Sequence, residues 1–156
     1  MRQIIAVALL SLITLPVCAE TLTGRVVGVS DGDTITLLDA SRREYRIRLA
    51  EIDAPEKNQP FGQASKKSLS DLSYGRNAQA ECPNTDRYGR RVCKIFVDGV
   101  NVNAQQVARG LAWVYRQYAP ATSSLYALEN KARAAEIGLW QDRNPVPPWD
   151  WRRAGN

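Results

Sequence analysis

The 156-residue sequence contains no histidine. Without an imidazole there is no serine-histidine triad, no histidine-pair ribonuclease chemistry, no histidine-ligated zinc and no histidine general base. Any catalysis must therefore rest on carboxylates, cationic side chains and a hard metal. Internal repeats, low-complexity stretches and any marker of a second domain are absent as well. Cysteine is sparse, with three residues.

What is present begins with a leader. Met1-Arg2 precedes an apolar run from Ile4 to Leu15, and Pro16-Val17-Cys18-Ala19 follows before Glu20. A dozen apolar residues are too few to cross a bilayer comfortably, and Val17 and Ala19 stand at the small-residue positions of a cleavage site. Residues 1–19 are therefore expected to be a signal peptide, and residues 20–156 one compact domain. The leader would take Cys18 with it, leaving Cys82 and Cys93 in a compartment that permits disulfides. They are expected to pair, with two buried thiols as the alternative; a short loop closed this way is stabilised by about 3 kcal/mol. The net charge of +5 favours an anionic partner, although charge alone points only weakly to nucleic acid.

From Thr21 to Ala50 β-branched residues alternate with polar ones, interrupted at Ser30-Asp31-Gly32-Asp33 and Asp39-Ala40-Ser41. This predicts three strands of a meander. In the third, Tyr45, Ile47 and Leu49 share one face and Arg46, Arg48 and Ala50 the other, so a buried face backs a cationic one. A loop over 51–60 and a helix over 61–74 follow. Strands are predicted at 78–82 and 91–97 around the polar loop 83–90, whose base the two cysteines would clamp. Asn103 to Arg109, ending at Gly110, suits a short helix with a glycine C-cap. A second helix, capped by Thr122 or Ser123, runs to Gly138 with an apolar stripe at Leu125, Leu128, Ala132 and Ala135. The tail, with its prolines and with Trp149 and Trp151, is too aromatic for a loose end and is expected to pack back on the domain, stacking on bases being the alternative. Five strands with helices after the third and at the end predict a mainly β, α+β domain: a small closed barrel of the OB type.

The acidic residues that could carry chemistry sit at strand ends. Asp31-Gly32-Asp33-Thr34 reads as a tight turn or as a loop aiming Asp33 at a cation. In Ile52-Asp53-Ala54-Pro55-Glu56, Pro55 stiffens a loop bearing two carboxylates. Asp33, Asp53 and Glu56 brought together would be costly unless a hard divalent cation or arginines neutralised them. Arg48 and Arg90 could flank that cluster, and guanidinium forks suit the charge that builds on a phosphoryl group during hydrolysis.

In combination and in this order, Asp31-Gly32-Asp33-Thr34, Arg48-Leu49-Ala50-Glu51-Ile52-Asp53-Ala54-Pro55-Glu56 and Asp86-Arg87-Tyr88-Gly89-Arg90, with Gly110-Leu111-Ala112 and Gly138-Leu139-Trp140 as echoes, resemble the staphylococcal nuclease (thermonuclease) family. The resemblance spans residues 20–156 almost entirely. It implies an OB-fold five-stranded barrel with about three α-helices and one calcium ion held by Asp33, Asp53 and the backbone carbonyl of Ala54, where threonine is the familiar residue. It also implies Glu56 as the base or organiser of the attacking water, and Arg48 and Arg90 as the arginines on the phosphate. Arg87 and Tyr88 match positions near a terminal phosphate of bound nucleotide. The Cys82 and Cys93 pair lies outside the family's pattern and would hold Arg90 in place. The implied protein is an exported, calcium-dependent endonuclease on DNA and RNA with 3′-phosphate products, monomeric, without a stable protein partner, periplasmic or secreted. A catalytically silent nucleic-acid-binding module on the same barrel is the alternative, and an exported binder of some other anion a third.

Overall fold

A computed structural model describes residues 20–155; the expected signal peptide and Cys18 lie outside the described residues. The first three strands are β1 (Glu20–Val29), β2 (Thr34–Leu38) and β3 (Glu44–Leu49), followed by the short β4 (Ile52–Asp53), helix α1 (Gly62–Ser73), β5 (Asn77–Thr85) and β6 (Arg91–Val97). Then come β7 (Val100–Asn101), α2 (Val102–Ala108), β8 (Trp113–Val114), α3 (Leu125–Ala134), a 3-10 turn (Gly138–Gln141) and α4 (Pro148–Arg153).

Antiparallel pairing runs β3-β2-β1-β5-β6, and β6 closes on β3 in parallel, with Arg48 opposite Val92 and Leu49 opposite Cys93. The result is a closed five-stranded barrel with helices, the expected OB-type α+β fold. Closure removes the sheet edges that would otherwise offer unpaired backbone groups. The alternation seen in the sequence places Val26, Ile35, Leu37, Ile47, Leu49 and Ile95 inside, all essentially inaccessible, while Arg46 and Arg48 point outward as the pattern requires.

Helix α2 is capped by Asn101 and not by Asn103, α3 starts after Ser124 and not after Thr122 or Ser123, and three further features differ from expectation. First, β5 continues past Cys82 to Thr85, because the strand absorbs Pro83 in an irregularity of its register against β6 between Glu81 and Asn84. Proline has no N–H for the ladder, and a bulge is where a strand tolerates it. The true loop is thus only Asp86 to Arg90. Second, the chain between β3 and α1 is not all loop: β4 pairs with β8, Ile52 opposite Val114 and Asp53 opposite Trp113. Third, the tail forms a helix of its own, so the described residues hold four α-helices where the resemblance implied about three. Pro148 occupies its first turn, Asp150 follows at the positive end, and Arg152 and Arg153 lie in its last turn, an order that proline geometry and the helix dipole both favour.

That tail does pack back. The ring of Trp149 stacks on Tyr115 with centroids 5.4 Å apart and meets Trp113 edge-on at 5.8 Å; Trp113 in turn meets Trp140 at 4.4 Å. Val146 is tied down by Gln59, whose Nε2 donates to its carbonyl at 2.6 Å. Cys82 and Cys93 form a disulfide between β5 and β6, set back from the 86–90 loop by the ladder pairs Asn84 with Val92 and Thr85 with Arg91. Among the described residues no helix is long and apolar enough to cross a membrane.

Candidate active site

The site forms at one end of the barrel, where the turn after β1, the end of β3 and β4 converge. Asp33 is placed by a turn in which its N–H donates to Asp31 Oδ1 (3.0 Å) and Ser30 N donates to the Thr34 carbonyl (2.9 Å). Gly32 is required here for space rather than for its dihedral freedom. A Cβ at that position would lie 1.9 Å from Ser65 Oγ and 2.7 Å from Ala54 Cβ, so the turn presses directly onto α1 and the segment after β4. Gln106 of α2, wholly buried, fixes the contact by donating to the Gly32 carbonyl (2.8 Å) and the Ser65 carbonyl (3.1 Å).

Arg48, near the end of β3, reaches the two buried aspartates at once. Its Nη1 donates to Asp33 Oδ1 and its Nη2 to Asp53 Oδ1, each at 2.7 Å. A weaker bond from Nη2 to the Ile52 carbonyl measures 3.4 Å. Of the five guanidinium N–H donors, two are then left without a protein partner. Asp33 accepts further from the Ala54 N–H at 2.9 Å and from Thr34 Oγ1 at 3.0 Å. Burial nonetheless pushes the Asp33 carboxyl above its ordinary value, with Arg48 opposing the rise. Burial would by itself lower Arg48, but the charges of Asp33 and Asp53 outweigh it and hold the guanidinium firmly protonated.

Glu56 sits on the loop after β4, its own N–H bonded to Gln59 Oε1 at 3.0 Å. Its carboxylate meets a residue that the sequence reading did not single out. Arg152, from α4, donates from Nη1 to Glu56 Oε1 at 2.6 Å and from Nη2 to Asp53 Oδ2 at 2.7 Å. Hydrogen bonds to these two carboxylates raise Arg152 above its ordinary value although burial acts against it. One continuous chain of ion pairs thus runs Asp33, Arg48, Asp53, Arg152, Glu56. The signal for Arg152 was in the sequence, since Pro147-Pro148 and the charges after them describe a helix start and stop; nothing local tells where that helix docks.

Arg152 is thus an arginine of the acidic set beyond Arg48 and Arg90, the two that the motifs offered. Arg90 lies at the end of the 86–90 loop, just before the residue of β6 that pairs with Ile47, and its Nε donates to Asp86 Oδ2 at 2.7 Å. The other oxygen of Asp86 accepts the N–H groups of Tyr88 and Arg90 at 2.9 and 3.0 Å. These bonds hold the Asp86 carboxyl below its ordinary value, against the opposing effect of burial. Tyr88 is exposed, with Arg87 at 4.9 Å and Arg90 at 5.4 Å from its ring centre. The loop is thus internally organised and faces solvent with Arg87 and Tyr88, while the Arg90 side chain is 18% exposed.

As a metal site the arrangement offers oxygen donors only: the carboxylates of Asp33 and Asp53, to which the resemblance adds the carbonyl of Ala54. Among the described residues no three histidine, cysteine, aspartate or glutamate side chains converge on one point, so Glu56 does not complete a three-carboxylate cage. Two carboxylates and a carbonyl still fit a hard cation that keeps several of its waters, calcium above all, which tolerates irregular oxygen shells. Three carboxylates against two guanidiniums also leave the chain of ion pairs with an excess negative charge that such a cation would offset.

A family model described as staphylococcal nuclease homologue matches residues 46–142. The chain belongs to the staphylococcal nuclease family. The family match begins after Asp33 and ends before Arg152, so two members of the ion-pair chain lie outside it. Among relatives, a Haemophilus influenzae protein described as an uncharacterized endonuclease is 47% identical over 154 residues, covering 97% of this chain and 86% of its own. An Escherichia coli O157:H7 protein of the same description is 46% identical, covering 88% and 89%. A Shigella flexneri micrococcal nuclease is 38% identical, covering 96% of this chain and 91% of its own.

Proposed function

We propose that this protein is an exported, calcium-dependent endonuclease that hydrolyses phosphodiester bonds in DNA and RNA and leaves 3′-phosphate ends. The observation that carries the reading is the ion-pair chain itself, in a chain of this family: Arg48 spans two buried aspartates, and Glu56 stands at its solvent end. Relatives described as endonuclease and micrococcal nuclease support the class of reaction. The leader at residues 1–19 supports export to a periplasm or beyond.

Asp33, Asp53 and the Ala54 carbonyl would hold the cation, which supplies Lewis-acid polarisation of the phosphoryl oxygen and a positioned water. Glu56 Oε1 is occupied by Arg152, which leaves Oε2 to take or orient the proton of the attacking water. The two N–H groups of Arg48 that lack a protein partner, together with the outer edge of Arg90, are donors for the phosphoryl oxygens as negative charge grows on them. Fixed by Asp33 and Asp53, Arg48 needs little reorganisation when that charge develops, which is the condition under which such donors accelerate a reaction most. Arg87 and Tyr88, exposed on the 86–90 loop, would meet a neighbouring phosphate.

The test uses residues 20–156 with plasmid DNA and with RNA, in calcium, in magnesium and in chelator, beside Glu56→Gln and Arg90→Ala. Calcium-dependent cleavage lost in both variants is expected. Binding without cleavage in every metal would replace the enzyme with a silent binding module, and cleavage that survives chelation would remove the metal from the mechanism.

A further inference from the structure

We propose that the cleft between the 115–117 segment and α4 is a second phosphate subsite, holding a phosphodiester of the substrate strand that flanks the scissile one. The inference rests on the nuclease reading and extends it. The cleft has a volume of about 570 Å³ and is lined by Tyr115, Arg116, Gln117, Trp149, Arg152 and Arg153. Three guanidiniums face it and no carboxylate lines it.

The neighbouring acids do not cancel this charge. Asp150 pairs with Arg153. Glu129, wholly buried, is shared by Arg116 at 3.6 Å and Arg133 at 3.4 Å, too far for a good hydrogen bond. Counting Arg133, which shares Glu129 without lining the cleft, Arg116, Arg133 and Arg153 thus stand against Glu129 and Asp150, before Arg152 is counted. The centre next to it has the opposite imbalance. Arg152 joins the two, because the guanidinium that borders the cleft is the one bonded to Asp53 and Glu56. An anion entering the cleft therefore lies one side chain away from the reaction centre. Flat aromatic surface beside the arginines, Tyr115 with Trp149 stacked on it at 5.4 Å, suits a polynucleotide, which brings a base with each phosphate, better than it suits an acidic peptide.

The experiment measures anisotropy of a fluorescein-labelled single strand of about ten nucleotides, without added metal, against sodium chloride concentration. It compares the protein with Arg116→Ala/Arg153→Ala, two residues whose side chains are 66% and 76% exposed, and with Lys66→Ala/Lys67→Ala on α1, which removes the same charge elsewhere. Loss of the subsite is expected to weaken binding about tenfold and to make the logarithmic salt dependence shallower by about 0.7, the share of the one phosphate it holds. The α1 variant should change affinity less than about twofold. A second arm compares kcat/KM for the ten-nucleotide strand with that for a dinucleotide, in calcium; the ratio of long to short should fall about tenfold in the arginine variant. Equal loss in both lysine and arginine variants, or an unchanged salt slope, would overturn the subsite. Absence of cleavage in every protein would instead sink the nuclease reading, and the metal-free binding would still decide the subsite.

Discussion

Arg48→Ala takes the guanidinium from between two carboxylates that are 3% and 1% exposed, those of Asp33 and Asp53. Breaking a buried pair by deleting one partner costs about 3–5 kcal/mol, because a charge is left in low dielectric without compensation. Here the low end applies: Asp33 keeps the Ala54 N–H and Thr34 Oγ1, and Asp53 keeps Arg152. A loss of about 3 kcal/mol, or about 10 °C in Tm for a domain of this size, is expected at pH 7 in urea unfolding followed by tryptophan fluorescence. The deficit should also depend on pH with a definite sign. Burial already raises the Asp33 carboxyl above its ordinary 3.8, and Arg48 is the main force opposing the rise, so the variant's Asp33 rises further. A group raised on folding contributes stability that is present at low pH and lost as pH climbs through its folded value. The variant therefore closes part of its gap to the native protein as pH falls from 7 toward 4.5. Adding Asp33→Asn to Arg48→Ala should recover more than 1 kcal/mol at pH 7. A deficit below about 1 kcal/mol, or one that is flat with pH, would show that the two aspartates do not depend on Arg48 and would refute the reasoning.

Three further outcomes are expected. Gly32→Ala forces a Cβ to 1.9 Å from Ser65 Oγ and should cost about 1–3 kcal/mol by overpacking, with a loss of nuclease activity larger than the loss of fold because Asp33 is displaced; equal stability in thermal melts would contradict it. Replacing Cys82 and Cys93 by serine should lower stability by about 3 kcal/mol, as expected for a loop with a sequence separation of 11, and raise amide hydrogen exchange at residues 86–90; unchanged exchange there would mean that the disulfide does not hold the Arg90 loop. The N–H signals of Tyr88 and Arg90, both bonded to Asp86, should titrate together with a midpoint below 3.8, since Asp86 is held below that ordinary value. The stability these bonds contribute is present above 3.8 and lost as pH falls through the folded value, and a midpoint at or above 3.8 would remove Asp86 as the organiser of the loop.

The barrel was legible because strand periodicity is local: the alternation of Tyr45, Ile47 and Leu49 with Arg46 and Arg48 states which face is buried without any tertiary knowledge. Asp33, Arg48, Asp53 and Glu56 were legible for a different reason, as motif residues at strand ends in a recognisable order. What escaped depends on contacts between distant segments. β4 and β8 have two residues each and exist only by pairing with one another across the chain. Gly32 reads as turn chemistry in the sequence, whereas its structural requirement is the closeness of α1. Arg152 belongs to a six-residue helix, too short to be stable alone, whose place is set by Trp149 on Tyr115 and by Gln59 on Val146.

The long-range origin of Arg152 also bears on the order in which the site fills. The chain from Asp33 to Glu56 carries three carboxylates and two guanidiniums, and Asp31 beside Asp33 adds to the negative side. A phosphodiester approaching this set alone meets net repulsion, strengthened by the low dielectric around Asp33 and Asp53. On the proposed function it is expected to settle with a cation already present or arriving with it. The arginine cleft has the reverse balance and needs no such partner. Metal-free binding of a polynucleotide should therefore report on the cleft and be insensitive to Asp53→Asn at the ion-pair chain beyond the effect of a changed net charge, whereas binding of a short mononucleoside diphosphate should strengthen sharply when calcium is added. If the short ligand bound equally well without the cation, the excess negative charge of the ion-pair chain would not govern the order of filling, and Arg152 would have to leave Asp53 and Glu56 to meet the phosphate itself.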